Sequence, residues 1–186
     1  MADPLDLAVR PLRRVEFDKL VELGAFEGER IELLDGRLVR MSPIGPPHSS
    51  TIDKLTAWWV PRLAGRALVR VQNPFAALEV SEPQPDLAIV PLGNYETDHP
   101  SGADLIIEVA ESLLDYDRGS KLRVYADCGV PEYWIVNLVE HCVEVYRKPG
   151  GGRYWQVQRH DAAAVISAER YPDLELTVAS VLPITR

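Results

Sequence analysis

Leu105-Ile106-Ile107-Glu108-Val109-Ala110 is an apolar run broken by one carboxylate, and Gln84-Pro85-Asp86-Leu87-Ala88-Ile89-Val90 places a second acid at the entrance of a similar run. Short apolar stretches of this kind, bounded by turn-forming residues, read as buried strands. A buried strand has little reason to carry an acid, because an unpaired carboxylate in low dielectric is costly. Two acids at the ends of neighbouring strands repel each other unless a cation lies between them. Hard divalent cations, Mg²⁺ above all, are held by one or two carboxylates together with waters and phosphate oxygens. Lys121, 13 residues beyond Glu108, can orient or deprotonate water and offset charge developing on a phosphate. The three residues read as metal-dependent phosphodiester hydrolysis.

Working outward, the spacing predicts a short amphipathic helix over 15–23 that ends at Gly24, with residues 1–13 a loose arm before it. Arg30-Ile31-Glu32-Leu33-Leu34 and Arg37-Leu38-Val39-Arg40-Met41 flank Asp35-Gly36, a strong hairpin signal. A loop over 42–47 leads to a helical stripe at Ile52, Leu55, Trp59 and Leu63, with Pro61 near its end. Strands are expected over 67–71, 76–80, 86–90 and 104–109. A helix capped by Asp115 or Asp117 then runs to Cys128 and stops at Gly129-Val130-Pro131. The strand Glu132-Tyr133-Trp134-Ile135-Val136-Asn137 follows. Strands over 143–147, 154–159 and 174–178 end the chain as a meander, with a turn at Pro149-Gly150-Gly151-Gly152. The expected class is α+β or α/β: one domain over 1–186, a mixed sheet flanked by helices.

The chain has 20 basic and 28 acidic residues and a net charge of −8. Nucleic-acid affinity comes mostly from neutralised phosphates, so this balance leans against a protein that coats DNA, though not against a nuclease with local basic contacts. Arg10, Arg13 and Arg14, then Arg62, Arg66 and Arg70, are the basic clusters, and surface solvation accounts for them equally well. Two cysteines, Cys128 and Cys142, are too few for a disulfide framework and read as reduced core thiols. No apolar run reaches the ~20 residues of a membrane span, and the N-terminus has no signal-peptide pattern. A cytoplasmic protein is expected.

Each candidate has an ordinary alternative. Asp86 alone suits a turn, and Glu108, on one face with Ile106 and Ala110, suits a structural ion pair. Lys121 alone suits a solvated lysine one helical turn from Asp117 and Tyr125. The combination lifts all three. Glu32, which alternates with Ile31 and Leu33, reads by itself as an outward-facing strand residue, and His48 as a helix-start residue; either can complete the site as a further ligand or phosphate contact. Asp117 and Ser112 suit helix caps better than metal ligands. His99, His141 and His160 lack partners at metal-ligand spacing. Trp58-Trp59 and Tyr133-Trp134 read as core or interface aromatics.

Pro85-Asp86, Ile107-Glu108-Val109-Ala110, Tyr116-Asp117-Arg118-Gly119-Ser120-Lys121-Leu122 with Tyr125-Ala126, and Gly129-Val130-Pro131-Glu132-Tyr133-Trp134-Ile135-Val136 together resemble the Uma family of putative restriction endonucleases. Glu32-Leu33-Leu34-Asp35-Gly36-Arg37-Leu38-Val39 and His48 resemble its N-terminal part. The resemblance implies the PD-(D/E)XK nuclease superfamily, in which the proline-aspartate acid and the later acid bind Mg²⁺ and a lysine two positions after the second acid assists water. That position is Ala110 here, and the resemblance implies a lysine displaced onto the following helix, at Lys121. It therefore implies a Mg²⁺-dependent endonuclease on DNA (Mn²⁺ a possible substitute), with Asp86 and Glu108 on the metal and Lys121 catalytic. Two other readings stay open: an inactive DNA-binding or assembly module of the same fold, and a metal-dependent hydrolase of a small phosphorylated metabolite. Cutting both strands of a duplex needs two sites, so a homodimer is expected.

Overall fold

The computed structural model describes residues 9–184. Its centre is a six-stranded sheet in the order β3-β4-β5-β6-β7-β8, formed by β3 (Leu68–Val71), β4 (Leu87–Val90), β5 (Leu105–Ala110), β6 (Glu132–Asn137), β7 (Cys142–Pro149) and β8 (Tyr154–Asp161). All neighbours are antiparallel except β5 and β6. A parallel pair needs a crossover, which here is α3 (Leu114–Tyr116), a π-helical turn (Asp117–Lys121) and α4 (Leu122–Asp127).

Both faces of the sheet are covered, which is why β4, β5 and β6 are buried along their whole length and do not alternate with polar residues. One face carries Leu87, Ile89, Leu105, Ile107, Val109 and Trp134 against α2 (Pro46–Arg62), whose Leu55 and Trp59 are fully buried. The other carries Ala88, Val90, Ile106 and Ala110 against Val124 and Tyr125 of α4. Side chains alternate along a strand, so Asp86 and Glu108 fall on the α4 face.

A hairpin of β1 (Ile31–Leu34) and β2 (Arg37–Arg40) adds Leu34 to the α4 side. Asp35 and Gly36 both have positive φ, 51° and 72°, as its two-residue turn requires. A further pair, β9 (Val165–Ala168) and β10 (Tyr171–Thr177), covers the α2 face through Ile166 and Leu176. At the amino end, α1 (Arg14–Glu22) buries Phe17. Among the described residues, no helix is long and apolar enough to cross a membrane.

Four sequence expectations change. Residues 1–8 of the expected loose arm lie outside the described residues, but the rest of it is tied down: Leu12 donates its N–H to Gly36 O at 3.0 Å. Residues 76–80 are not a sheet strand. Their main-chain groups serve other elements, Glu79 O accepting from Arg14 N–H and Val80 O from Gly36 N–H. The final strand joins β9 in a separate two-stranded sheet rather than extending a meander. The single helix expected over 115–128 is interrupted at Asp117–Lys121 and begins without a side-chain cap.

Candidate active site

The register pairs Leu87 with Ile107 across antiparallel β4 and β5, so Asp86 stands opposite Glu108. Two main-chain contacts lock the pair. Val109 N–H donates to Asp86 Oδ2 at 2.9 Å, and Asp86 N–H points at Glu108 Oε2 at 3.4 Å. Asp86 Oδ1 is held by His48 Nε2 at 3.1 Å and by the Gln72 amide at 3.2 Å. Pro46 and Pro47 open α2, prolines being preorganised for a first turn, and this carries His48 over the β4 entrance. Gln72 has φ of 50°, a left-handed conformation that is costly for a side chain with a Cβ. Its own N–H bonds Asp86 O at 3.0 Å, so main chain and side chain grip the same residue.

Lys121 arrives from the crossover. Within the π turn, Leu122 N–H reaches back five residues to Asp117 O, which also accepts the Tyr133 hydroxyl at 3.2 Å. Arg118 pins the turn to β7 through two bonds to the buried Glu144, at 3.0 and 2.5 Å. These anchors aim Asp117 and Lys121 inward, where each is about 5 % exposed (6 % and 5 %). π turns inside helices are often found at functional sites. The Lys121 ammonium lies 2.9 Å from Glu108 Oε1 and 3.5 Å from Glu32 Oε2. Tyr125 donates to Glu108 Oε1 at 2.7 Å, Tyr116 to Glu32 Oε1 at 3.2 Å, and Gln84 N–H to Glu32 Oε2 at 3.0 Å.

Four buried carboxylates thus surround one ammonium. Burial pushes Glu108 up to about 7; Lys121 opposes this, while Asp86 and Glu32 add to it. Asp117 rises to about 8, by burial first and then by the charge of Glu108. Burial disfavours the charge of Lys121, but Glu108, Glu32 and Asp117 outweigh it and hold the ammonium above its ordinary pKa. Burial also opposes the charge of Asp86, yet His48, the Val109 N–H and Lys121 keep that carboxyl below its ordinary value. One acid is therefore firmly ionised and its neighbours compete for too little positive charge.

These groups open on a pocket of about 90 Å³ whose rim includes Arg30, Arg40 and Glu111. The structure brings together all five candidate residues, Asp86, Glu108, Lys121, Glu32 and His48, at the ends of central strands rather than at a lateral sheet edge. Glu32 faces inward, buried at 2 % exposure. Asp117 is no cap: it lines the pocket, and Ser112 lies exposed at its rim. Gln72, Tyr116 and Asp117 are additions that single-residue reading missed. Tyr116-Asp117 stands within the motif around Lys121, whereas nothing around Gln72 marks it.

Residues 15–179 match the model of the Uma2 family, described as "Putative restriction endonuclease". The chain belongs to that family. A solved structure described as a putative nuclease belonging to DUF820, from Anabaena variabilis ATCC 29413, superposes with a TM-score of 0.72 over 92 % of this chain and 97 % of that one. Its identity is 15 %, so the likeness concerns the fold. Comparison with curated proteins gave no match. By family, the Uma2 chain is of the nuclease class.

Proposed function

We propose that this Uma2 protein is a Mg²⁺-dependent endonuclease hydrolysing DNA phosphodiester bonds, with Mn²⁺ able to substitute. The observation that carries the reading is the pairing of Asp86 with Glu108 on one sheet face, with the Lys121 ammonium 2.9 Å from Glu108. The donor set fits a hard cation. Glu108 Oε2 has only the 3.4 Å contact from Asp86 N–H among the described residues, and burial, with the charges of Asp86 and Glu32, raises the Glu108 pKa to about 7, a penalty that a bound cation would relieve. Among the described residues no three His, Cys, Asp or Glu side chains form a metal-ligating group. Mg²⁺ keeps waters and needs one or two carboxylates, which Asp86 and Glu108 would supply.

Asp86 and Glu108 would hold the metal, which when bound polarises the scissile phosphate and lowers the pKa of attacking water. His48 and Gln72 fix the Asp86 carboxylate in orientation. Lys121, kept charged by the surrounding acids, positions water and stabilises charge on the pentavalent phosphorus rather than taking a proton. Arg30 and Arg40, which line the same pocket, would meet phosphate oxygens. The working form in this reading is a cytoplasmic homodimer with one site per strand. Light scattering at micromolar concentration that returns only the 20.8 kDa monomer would count against the dimer.

The test is incubation of plasmid and single-stranded DNA with Mg²⁺ or Mn²⁺, beside the Asp86→Asn protein. Cleavage by the wild type alone is expected. Retention on DNA without cleavage would replace this reading by a binding module. The net charge of −8 and the small pocket favour, as second reading, a hydrolase of a small phosphorylated metabolite. Turnover of nucleotides and not of polymers would select it.

A further inference from the structure

A second cavity of about 820 Å³ lies between α1 and the loop around Tyr95–His99, on the far side of β1 from the acid cluster. Seven carboxylates line it against two arginines, Arg14 and Arg30. An acidic lining alone marks nothing, but one of these groups is out of place. Glu82 is only 3 % exposed, and its Oε2 is buried without a hydrogen-bond partner. A buried carboxylate left unsatisfied is expensive. Asp18 of α1 repels it from within hydrogen-bond reach of the Glu82 carboxyl, and Arg14 attracts it without closing an ion pair among the described residues. Burial and Arg70 lower the pKa of His99, which disfavours a positive charge on that ring. The aromatic side of the cleft comes from Phe17 and Phe26, stacked at 5.6 Å, and from Tyr95, whose ring already has the Arg70 guanidinium 5.7 Å away.

We propose that this cleft recognises an organic cation, a guanidinium or aliphatic ammonium group, with Glu82 and Asp18 as its acceptors. Such a group donates to the orphaned Glu82 oxygen, separates the two crowded acids and lies against aromatic rings, three contacts that favour a cation. Nucleic acid is the wrong partner for this lining, because its phosphates would meet the carboxylates. Arg14 Nε is also buried without a partner. A main-chain carbonyl would satisfy it, so the cation can arrive on a peptide as well as free.

The test is titration calorimetry of the full chain at ~0.15 M salt, where diffuse attraction is screened. Two probes separate the sources: agmatine as the free cation, and an octapeptide of alternating Arg and Gly as the tethered one. Saturable binding of either probe is expected, weakened at least ~10-fold in Glu82→Gln by loss of a charge-assisted hydrogen bond. Stronger binding of agmatine assigns a small-molecule site, and stronger binding of the peptide a polypeptide site. Glu82→Gln keeps the side-chain shape and relieves repulsion. Asp18→Asn, at a half-buried helix position, checks the same loss independently. No saturable binding of either probe, or equal binding by wild type and both variants, overturns the proposal.

Discussion

Lys121→Met isolates the ammonium, because methionine keeps the unbranched apolar stem and the helix propensity. In the folded protein the group it deletes faces Glu108 at 2.9 Å and Glu32 at 3.5 Å, and it is about 5 % exposed. A solvated lysine would cost no more than ~0.5 kcal/mol to replace. Removing one member of a buried ion pair costs about 3–5 kcal/mol, since the partner charges stay behind. In a domain of this size each kcal/mol moves Tm by about 2–4 °C, so a fall of about 6–20 °C is expected. The sign of its pH dependence follows from the acids. Glu108 already titrates near 7, and without the lysine its pKa rises further, so protonation relieves the variant as pH falls. Thermal unfolding by circular dichroism at pH about 8 and about 5.5 should therefore show a deficit that shrinks at the lower pH. The double variant Lys121→Met/Glu108→Gln should recover much of the loss. Where the single variant remains folded, DNA cleavage should fall ~10²-fold or more. A Tm within ~2 °C of wild type at both pH values would refute the argument, because the buried acids would not be relying on Lys121.

Mg²⁺ or Mn²⁺ at ten times its Kd should stabilise the wild type by about 1.4 kcal/mol and leave Glu108→Gln unchanged; equal Tm shifts in both would place the metal elsewhere. Glu82 offers a pH test outside the acid cluster. Its folded pKa is raised from 4.5 to about 7, so the folded state holds a proton that the unfolded chain releases. Wild-type stability should fall relative to Glu82→Gln by on the order of 1–3 kcal/mol as pH rises through that window, read by urea unfolding. Gly36→Ala should cost at least ~2 kcal/mol, because φ is +72° and a Cβ would sit 2.2 Å from Pro11 Cβ. Gly65→Ala is the control: φ is +75° with open space around it, so only the ~1 kcal/mol of backbone strain is expected.

The sheet was legible because its central strands carry their own signal. Ile106-Ile107 and Trp134-Ile135-Val136 are too apolar to be anything but buried, and Asp35-Gly36 fixes the hairpin by φ alone. Residues 76–80 misled for a physical reason. Alternating apolar residues satisfy a strand pattern, but which groups take up their hydrogen bonds is decided by distant chain, here Arg14 and Gly36. The β9 strand escaped notice because Val165–Ala168 is short, and its partner is set by packing on Ile166 and Leu176 rather than by a turn signal.

The site divides along the same line. An acid within an apolar run conflicts with its surroundings in any fold, so Asp86 and Glu108 stand out from the sequence itself. Lys121 and Asp117 do not, since at i, i+4 in a straight helix they make an unremarkable surface pair. What changes their meaning is the π turn, and its causes are tertiary: the Tyr133 hydroxyl on Asp117 O and the grip of Arg118 on Glu144. Glu32 shows the converse. Local alternation turns it outward, but the hairpin lies over the α4 side of the sheet, and Gln84, Tyr116 and Lys121 draw its carboxylate inward. Ala110, where the resemblance to the PD-(D/E)XK pattern would put a lysine, packs in the core on the α4 side. The ammonium that does reach Glu108 comes from the crossover, whose π turn carries Lys121 over the same face.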